Sequence, residues 1–295
     1  MHEFKTYHPI VNFAYFAFVI VFSCLLLHPV FLSISFVCAV AYALITGGRR
    51  TLKFVSVYII PLMLLTAVIN SVFNHSGVTV ICYLPSGNPL TAESVIYGFA
   101  MGTMLAAVIC FFASYNKVVT SDKFIYLFGR VIPSLSLVFS MVLRFVPRFK
   151  TQFMHVRAGQ KCIGKDITDG SAIKRAKSGL KILSAMISWS LESAIETADS
   201  MKSRGYGLSG RTAYSDFVFD KRDKLTLIII LVLCAYVIAG MLIGATQYSY
   251  VPSVKVGDIT LYSVSVAFAY FVLCAVPVII ECWEARKWKL LKRNI

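Results

Sequence analysis

The sequence predicts an all-α integral membrane protein, with about six transmembrane helices and a long cytoplasmic helical segment between the fourth and the fifth. Three observations carry this. Hydrophobic residues fill 58% of the 295 positions and charged residues only 15%, against about a quarter charged in an ordinary soluble domain. Mean hydropathy is +0.74. The apolar residues gather in runs near the ~20 residues that cross about 30 Å of hydrocarbon. A soluble globule of this composition would expose apolar surface over most of its area and aggregate. An ordinary cytosolic enzyme, a disordered chain and a secreted disulfide scaffold are therefore excluded.

Ile10 to Leu27 is the first uncharged run, and His28-Pro29 interrupts it. Val30 to Ile45 is the second, so the two read as a hairpin broken at a proline that cannot continue a helix. Gly47-Gly48-Arg49-Arg50 closes it. Phe54 to Val72 and Ala92 to Tyr115 are the third and fourth runs, Leu225 to Ala245 and Ile259 to Ile280 the fifth and sixth. No small-residue cleavage site follows the first run, so it is expected to be a retained helix and not a signal peptide. Every Lys and Arg except Lys255 then falls on one side of the membrane. The positive-inside rule places the N-terminus and the C-terminus in the cytoplasm. The formal net charge of +15 suits anionic headgroups or an acidic partner.

The chain thus divides into residues 1–115 with the first four spans, 116–223 as a cytoplasmic segment, and 224–295 with the last two spans and a basic tail. The middle segment is too long for a connector. From Pro133 to Gly164 its pattern is helical, with Phe145, Phe149, Phe153 and Val156 on one face, and Pro147 is expected to kink it. A second helix is expected from about Ser171 to Gly205. Its apolar stripe is Ala176, Leu180, Leu183, Ile187, Leu191, Ala194, Ala198 and Met201. Its basic start (Lys174, Arg175, Lys177, Lys181) and acidic second half (Glu192, Glu196, Asp199) oppose the helix dipole.

The two helices end alike. Lys161-Cys162-Ile163-Gly164 closes the first and Lys202-Ser203-Arg204-Gly205 the second, 41 residues on. Glycine at each end is expected to form a left-handed C-cap. Gly159 to Asp166 imitates a phosphate loop, but it ends in a carboxylate where the magnesium-binding hydroxyl belongs and follows a helix instead of a strand. The eight cysteines include no CxxC pair and the five histidines are scattered, so no metal site and no cofactor are expected. No catalytic constellation is visible, which weighs against a membrane-bound enzyme. A self-contained secondary transporter or channel, the alternative function, would need intramembrane polar groups or broken helices in both halves. Only Pro61, Asn70 and Pro277 offer themselves.

Ser140-Met-Val-Leu-Arg-Phe-Val-Pro-Arg148, Gln160-Lys-Cys-Ile-Gly164 and Ala198-Asp-Ser-Met-Lys-Ser-Arg-Gly-Tyr-Gly207 resemble the T component of energy-coupling factor (ECF) transporters. Phe73-Asn-His-Ser-Gly-Val-Thr-Val80 resembles a subgroup of the same family. The resemblance covers nearly the whole chain. It implies a non-catalytic transmembrane coupling subunit of an ABC-related, ATP-driven importer for a vitamin or metal, in the bacterial plasma membrane. It also implies two ATP-binding ATPase subunits and a substrate-binding S component as partners, with the lipid bilayer around them and no nucleic acid. In the family, two Ala-Arg-Gly-like motifs end two coupling helices and each Arg docks in an ATPase. The second motif here is Ser203-Arg204-Gly205, with Lys202 in support. The first is Cys162-Ile163-Gly164, with Lys161 or Lys165 in support, and it carries Ile where Arg is expected. An Ile cannot make the bidentate bond of an Arg, so the resemblance implies non-equivalent ATPase contacts.

Overall fold

Two His-Pro pairs open the first two helices of the protein. In the computed structural model, which describes residues 3–83, 89–129, 132–164, 168, 171–206, 208, 217–250, 255–256 and 260–293, α1 runs Pro9–Leu25 and α2 runs Pro29–Phe54. His8 Nδ1 accepts the N–H of Ile10 at 3.3 Å, and His28 Nδ1 accepts that of Val30 at 3.2 Å. Each proline sits in the first turn, where a missing N–H costs nothing. Two of the five scattered histidines, His8 and His28, are thus capping residues.

α2 leaves helical geometry at Gly48, at φ 56° and ψ −144°. A π turn over Val55–Ile59 and α3, Ile60–Phe73, follow. Pro61 has no N–H to offer the carbonyl four residues back, within that turn. The packing against α4, Ala92–Val118, gives the directions. Leu32 clusters with Ala100, and Gly47 lies beside Lys117, so the first part of α2 runs parallel to α4. Ala67 lies against Gly98 and Met63 against Gly102, so α3 runs antiparallel to it. The chain therefore reverses at Gly48, and the apolar stretch Pro29–Phe73 is two passes. Ala92–Val118, Lys221–Leu242 and Leu261–Trp288 are each long and apolar enough to cross a membrane, and α1 is a shorter apolar helix. With the division at Gly48, six apolar helical segments stand among the described residues, and the protein is an all-α multi-pass membrane protein.

A Cβ built on Gly98 would lie 2.8 Å from Ala67 Cα and 2.9 Å from its carbonyl oxygen. Gly98 and Gly102 thus let two backbones approach as small-xxx-small stripes do. Gly98→Leu is expected to lower the thermal midpoint in detergent, because the obstacle is backbone and overpacking costs about 1–3 kcal/mol or more. Gly159→Ala, with no atom near its Cβ in a helix interior, is expected to raise it slightly. Equal midpoints for the two variants would contradict the close approach.

The remaining membrane helices are α8, Lys221–Leu242, and α9, Leu261–Arg293, while α5 is a short helix over Ser121–Gly129. Tyr15, Tyr42, Tyr270, Phe16, Phe111 and Leu273 fill the core. Buried hydroxyls tie the helices together: Tyr15 Oη donates to the Cys274 carbonyl at 2.9 Å, and Tyr270 Oη lies 2.6 Å from Ser35 Oγ. One end of the bundle carries the short antiparallel pairs β1 (Val80–Tyr83) with β2 (Pro89–Thr91), and β3 (Tyr248–Ser249) with β4 (Lys255–Val256). There Glu93, in the first turn of α4, accepts the N–H of Thr79 at 3.2 Å and suits the positive end of the helix. The N-terminal turn and the starts of α5 and α8 lie at the other end, beside Glu281 of α9.

The described chain forms two compact units, residues 1–124 with 217–295, and residues 125–216. The second holds α6, Pro133–Cys162, and α7, Ala172–Ser203. α6 is continuous through Pro147. The short helix α5, before it, had no counterpart among the sequence expectations.

Candidate functional site

α6 and α7 meet near their midpoints. The rings of Phe149 and Trp189 stand edge to face at 5.4 Å, and the Arg148 guanidinium lies 5.4 Å from the Trp189 ring centre. From Phe149 to Cys162 is thirteen residues and from Trp189 to Ser203 fourteen, so each helix carries its end roughly 20 Å beyond this contact.

Both ends stop at a left-handed glycine. Ile163 is the C-cap of α6, and Gly164 follows at φ 69°, its N–H donating to the Lys161 carbonyl at 3.0 Å. Arg204 is the C-cap of α7, and Gly205 follows, also at φ 69°. Gly205 N–H donates to the Lys202 carbonyl and Tyr206 N–H to the Met201 carbonyl, both at 3.0 Å. This pair of bonds is a Schellman ending, which needs a residue comfortable in the left-handed region. Both glycines therefore take the left-handed position that closes a helix, as their place in the pattern predicts. Ser203 Oγ donates to the Ser200 carbonyl at 2.9 Å.

The side chains at both ends face outward. Lys161, Cys162, Lys202, Ser203 and Arg204 are exposed, and Ile163 is 61% exposed. Among the described residues no hydrogen bond or ion pair joins the first set to the second, and the Arg204 guanidinium has no protein partner. Cations at a helix C-terminus face its unpaired carbonyls favourably. The arrangement presents two exposed, glycine-terminated helix ends, one carrying a guanidinium and the other an aliphatic side chain. Lys165, a supporting residue of the first, lies outside the described residues.

The stripe on α7 has another fate than burial within the chain. The buried residues of α7 are Ser178, Ile182, Met186 and Ser193, none of them in the stripe, whereas Leu180, Leu183, Ile187 and Leu191 of the stripe are exposed. An open apolar cleft of about 400 Å³, lined by Phe149, Phe153, Leu183, Met186 and Ile187 among others, lies between α6 and α7.

The first half of the phosphate-loop imitation, residues 159–162, is helix. Gly159 lies inside α6, so its N–H groups point along a helix and cannot cradle phosphate. The isolated chain is expected to give no saturable binding in a titration with Mg-ATP; saturation would contradict the assignment of this stretch.

The sequence matches the cobalt transport protein family, CbiQ, over residues 2–214. The chain belongs to the CbiQ family. Among its relatives is an energy-coupling factor transporter transmembrane protein, EcfT, of Bacillus selenitireducens, 29% identical over 206 residues, covering 66% of this chain and 75% of that one. The EcfT of Lactobacillus helveticus is 39% identical over 97 residues, 32% of this chain and 35% of that one. The EcfT of Bacillus subtilis is 30% identical over 105 residues, 35% of this chain and 40% of that one. The alignments to the second and third thus span well under half of each relative. The CbiQ match includes both helix ends.

Buried polar residues at the N-terminal end of the bundle escaped the sequence reading. Asn12, Lys123, Asp223 and Glu281 are buried there. The isolated carboxylates at the edges of the last two apolar runs were a signal that could have found two of them.

Proposed function

We propose that this CbiQ-family protein is the transmembrane coupling subunit of an ECF-type, ATP-driven importer in a bacterial plasma membrane. Two ATPase subunits dock on the two helix ends, one at Lys161, Cys162, Ile163 and Gly164 and the other at Lys202, Ser203, Arg204 and Gly205. ATP hydrolysis takes place in those subunits and not in this chain. An S component binds the vitamin or metal and receives the motion. Both termini face the cytoplasm in this reading, which the distribution of Lys and Arg supports.

The observation that carries this reading is the pair of exposed, glycine-capped helix ends in a unit of their own. An exposed guanidinium at a fixed helix terminus suits a bidentate bond to a carboxylate of a partner. The exposed apolar residues of α7 suit a protein surface that the chain lacks by itself. Family membership adds to this, through relatives whose names carry the energy-coupling factor.

The test is to purify the tagged chain from its native membrane and identify what accompanies it. Two ATPases and a small membrane protein are expected. A chain that purifies alone, and moves solute across liposomes without ATP, would support the secondary-transporter alternative instead.

A further inference from the structure

The chain leaves the membrane unit after Phe124 and re-enters it at Phe217. Residues 4–8 touch the unit next to both of these points. Lys123, only 5% exposed, donates from Nζ to the Lys5 carbonyl, to the Tyr7 carbonyl at 3.2 Å and to Asn12 Oδ1 at 2.6 Å. With its amide so oriented, Asn12 donates to the Phe4 carbonyl at 3.0 Å. Three acceptors match the three hydrogens of an ammonium. Burial, together with the nearby Lys5 charge, pushes this ammonium down to about 8, while Asp223 acts in the opposite direction.

On the return side, His8 N–H donates to Asp223 Oδ1 at 3.2 Å. Asp223 Oδ2 accepts from Asp220 N–H at 3.2 Å and closes the capping box that starts α8. The His8 ring stands edge to face on Phe219 at 4.7 Å, and the Arg222 guanidinium lies 5.3 Å from the centre of the Tyr7 ring. Phe4 anchors the turn itself. Its N–H donates to Glu281 Oε1 of α9 at 3.3 Å, and its ring, fully buried, meets Tyr15 and Tyr42 edge to face.

We infer that residues 4–8 are a clasp that holds the outgoing and returning chain crossings in one fixed base, with Lys123 and Asp223 as its positioning residues. The inference rests on the coupling reading in one respect: a unit that transmits motion needs a base that does not give. Loose crossings would absorb the movement of residues 125–216 in the connecting chain. Partly buried hydrogen bonds to charged groups make such a base stiff, because opening it strands polar groups away from water.

The test is amide hydrogen exchange on the full chain in its copurified complex. Lys123→Met is expected to raise exchange about tenfold both at residues 118–124 and at residues 217–224, although Lys123 donates no hydrogen bond to the second stretch. The milder Asn12→Ala, which removes the amide that bonds Phe4 and Lys123, is expected to raise both about threefold. Hydrolysis of Mg-ATP by the complex is expected to stay within about twofold, since the docking ends lie in the other unit. A rise confined to residues 118–124 in both variants would overturn the clasp and leave Lys123 a local packing residue. The underlying reading fails separately, by the absence of ATPases from the wild-type preparation, and the exchange measurement still decides the clasp on the chain alone.

Discussion

Arg204→Ala is expected to release one ATPase while leaving the protein folded and inserted. The guanidinium is exposed and has no partner within the described chain, so its removal breaks no internal contact. Helix α7 keeps its Schellman ending, because that ending uses only backbone bonds at Lys202, Gly205, Met201 and Tyr206. What is lost is the partner's charge-assisted pair, and truncating one member of such a pair at an interface costs about 2–5 kcal/mol. Affinity should fall by at least thirtyfold or so, since about 1.4 kcal/mol is a factor of ten. Arg204→Lys should recover part of it, because an ammonium keeps the charge without the planar fork. Full recovery of both ATPases in a pull-down from the alanine variant would contradict the docking role.

Ile163→Asp is the second large effect. At 61% exposure in the chain itself, Ile163 contributes little to the packing of α6 and α7, and the variant should be stable. In the complex, the aliphatic side chain is expected to enter a groove of the other ATPase. Full burial there is worth about 1.5–3 kcal/mol, and a carboxylate in its place adds a desolvation cost. Loss of that ATPase alone is expected, with the Arg204 contact intact. The two contacts should also separate by salt. The Arg204 pair weakens as ionic strength rises in so far as it is exposed, while the Ile163 contact persists. Cysteine cross-linking from position 163 to each ATPase is the direct check. Failure to reach either one, while position 204 links normally, would remove the first helix end from the docking set.

Much of this architecture is local and therefore legible. Each membrane pass is a run of some twenty apolar residues, and its length alone announces it. The two helix ends are legible for a related reason. A left-handed residue is costly for any side chain but cheap for glycine, so Lys-small-x-Gly at the close of a helical pattern predicts the φ of 69° found at both Gly164 and Gly205. The reversal between the second and third passes was legible at Gly47-Gly48, although the helix there continues into a turn of π geometry that only Pro61 hints at.

Other features have no local signature. Period 3.6 marks an apolar stripe on α7 but does not say what covers it. Tertiary packing buries Ser178, Ile182, Met186 and Ser193 and leaves Leu180, Leu183, Ile187 and Leu191 outside. The direction of α3 against α4 depends on backbones that meet at Gly98 and Gly102, and a glycine in a helix says nothing of its neighbour until both are placed. The clasp is the extreme case. Phe4 and Glu281 are 277 residues apart, His8 and Asp223 215, and Lys123 and Lys5 118. By itself the sequence determined the apolar passes, the two long amphipathic helices and their glycine-capped ends, because each rests on interactions within a few turns of chain. Only the tertiary structure decided which helix faces are covered and which distant polar groups meet, because burial and hydrogen bonding across such separations depend on the packed bundle as a whole.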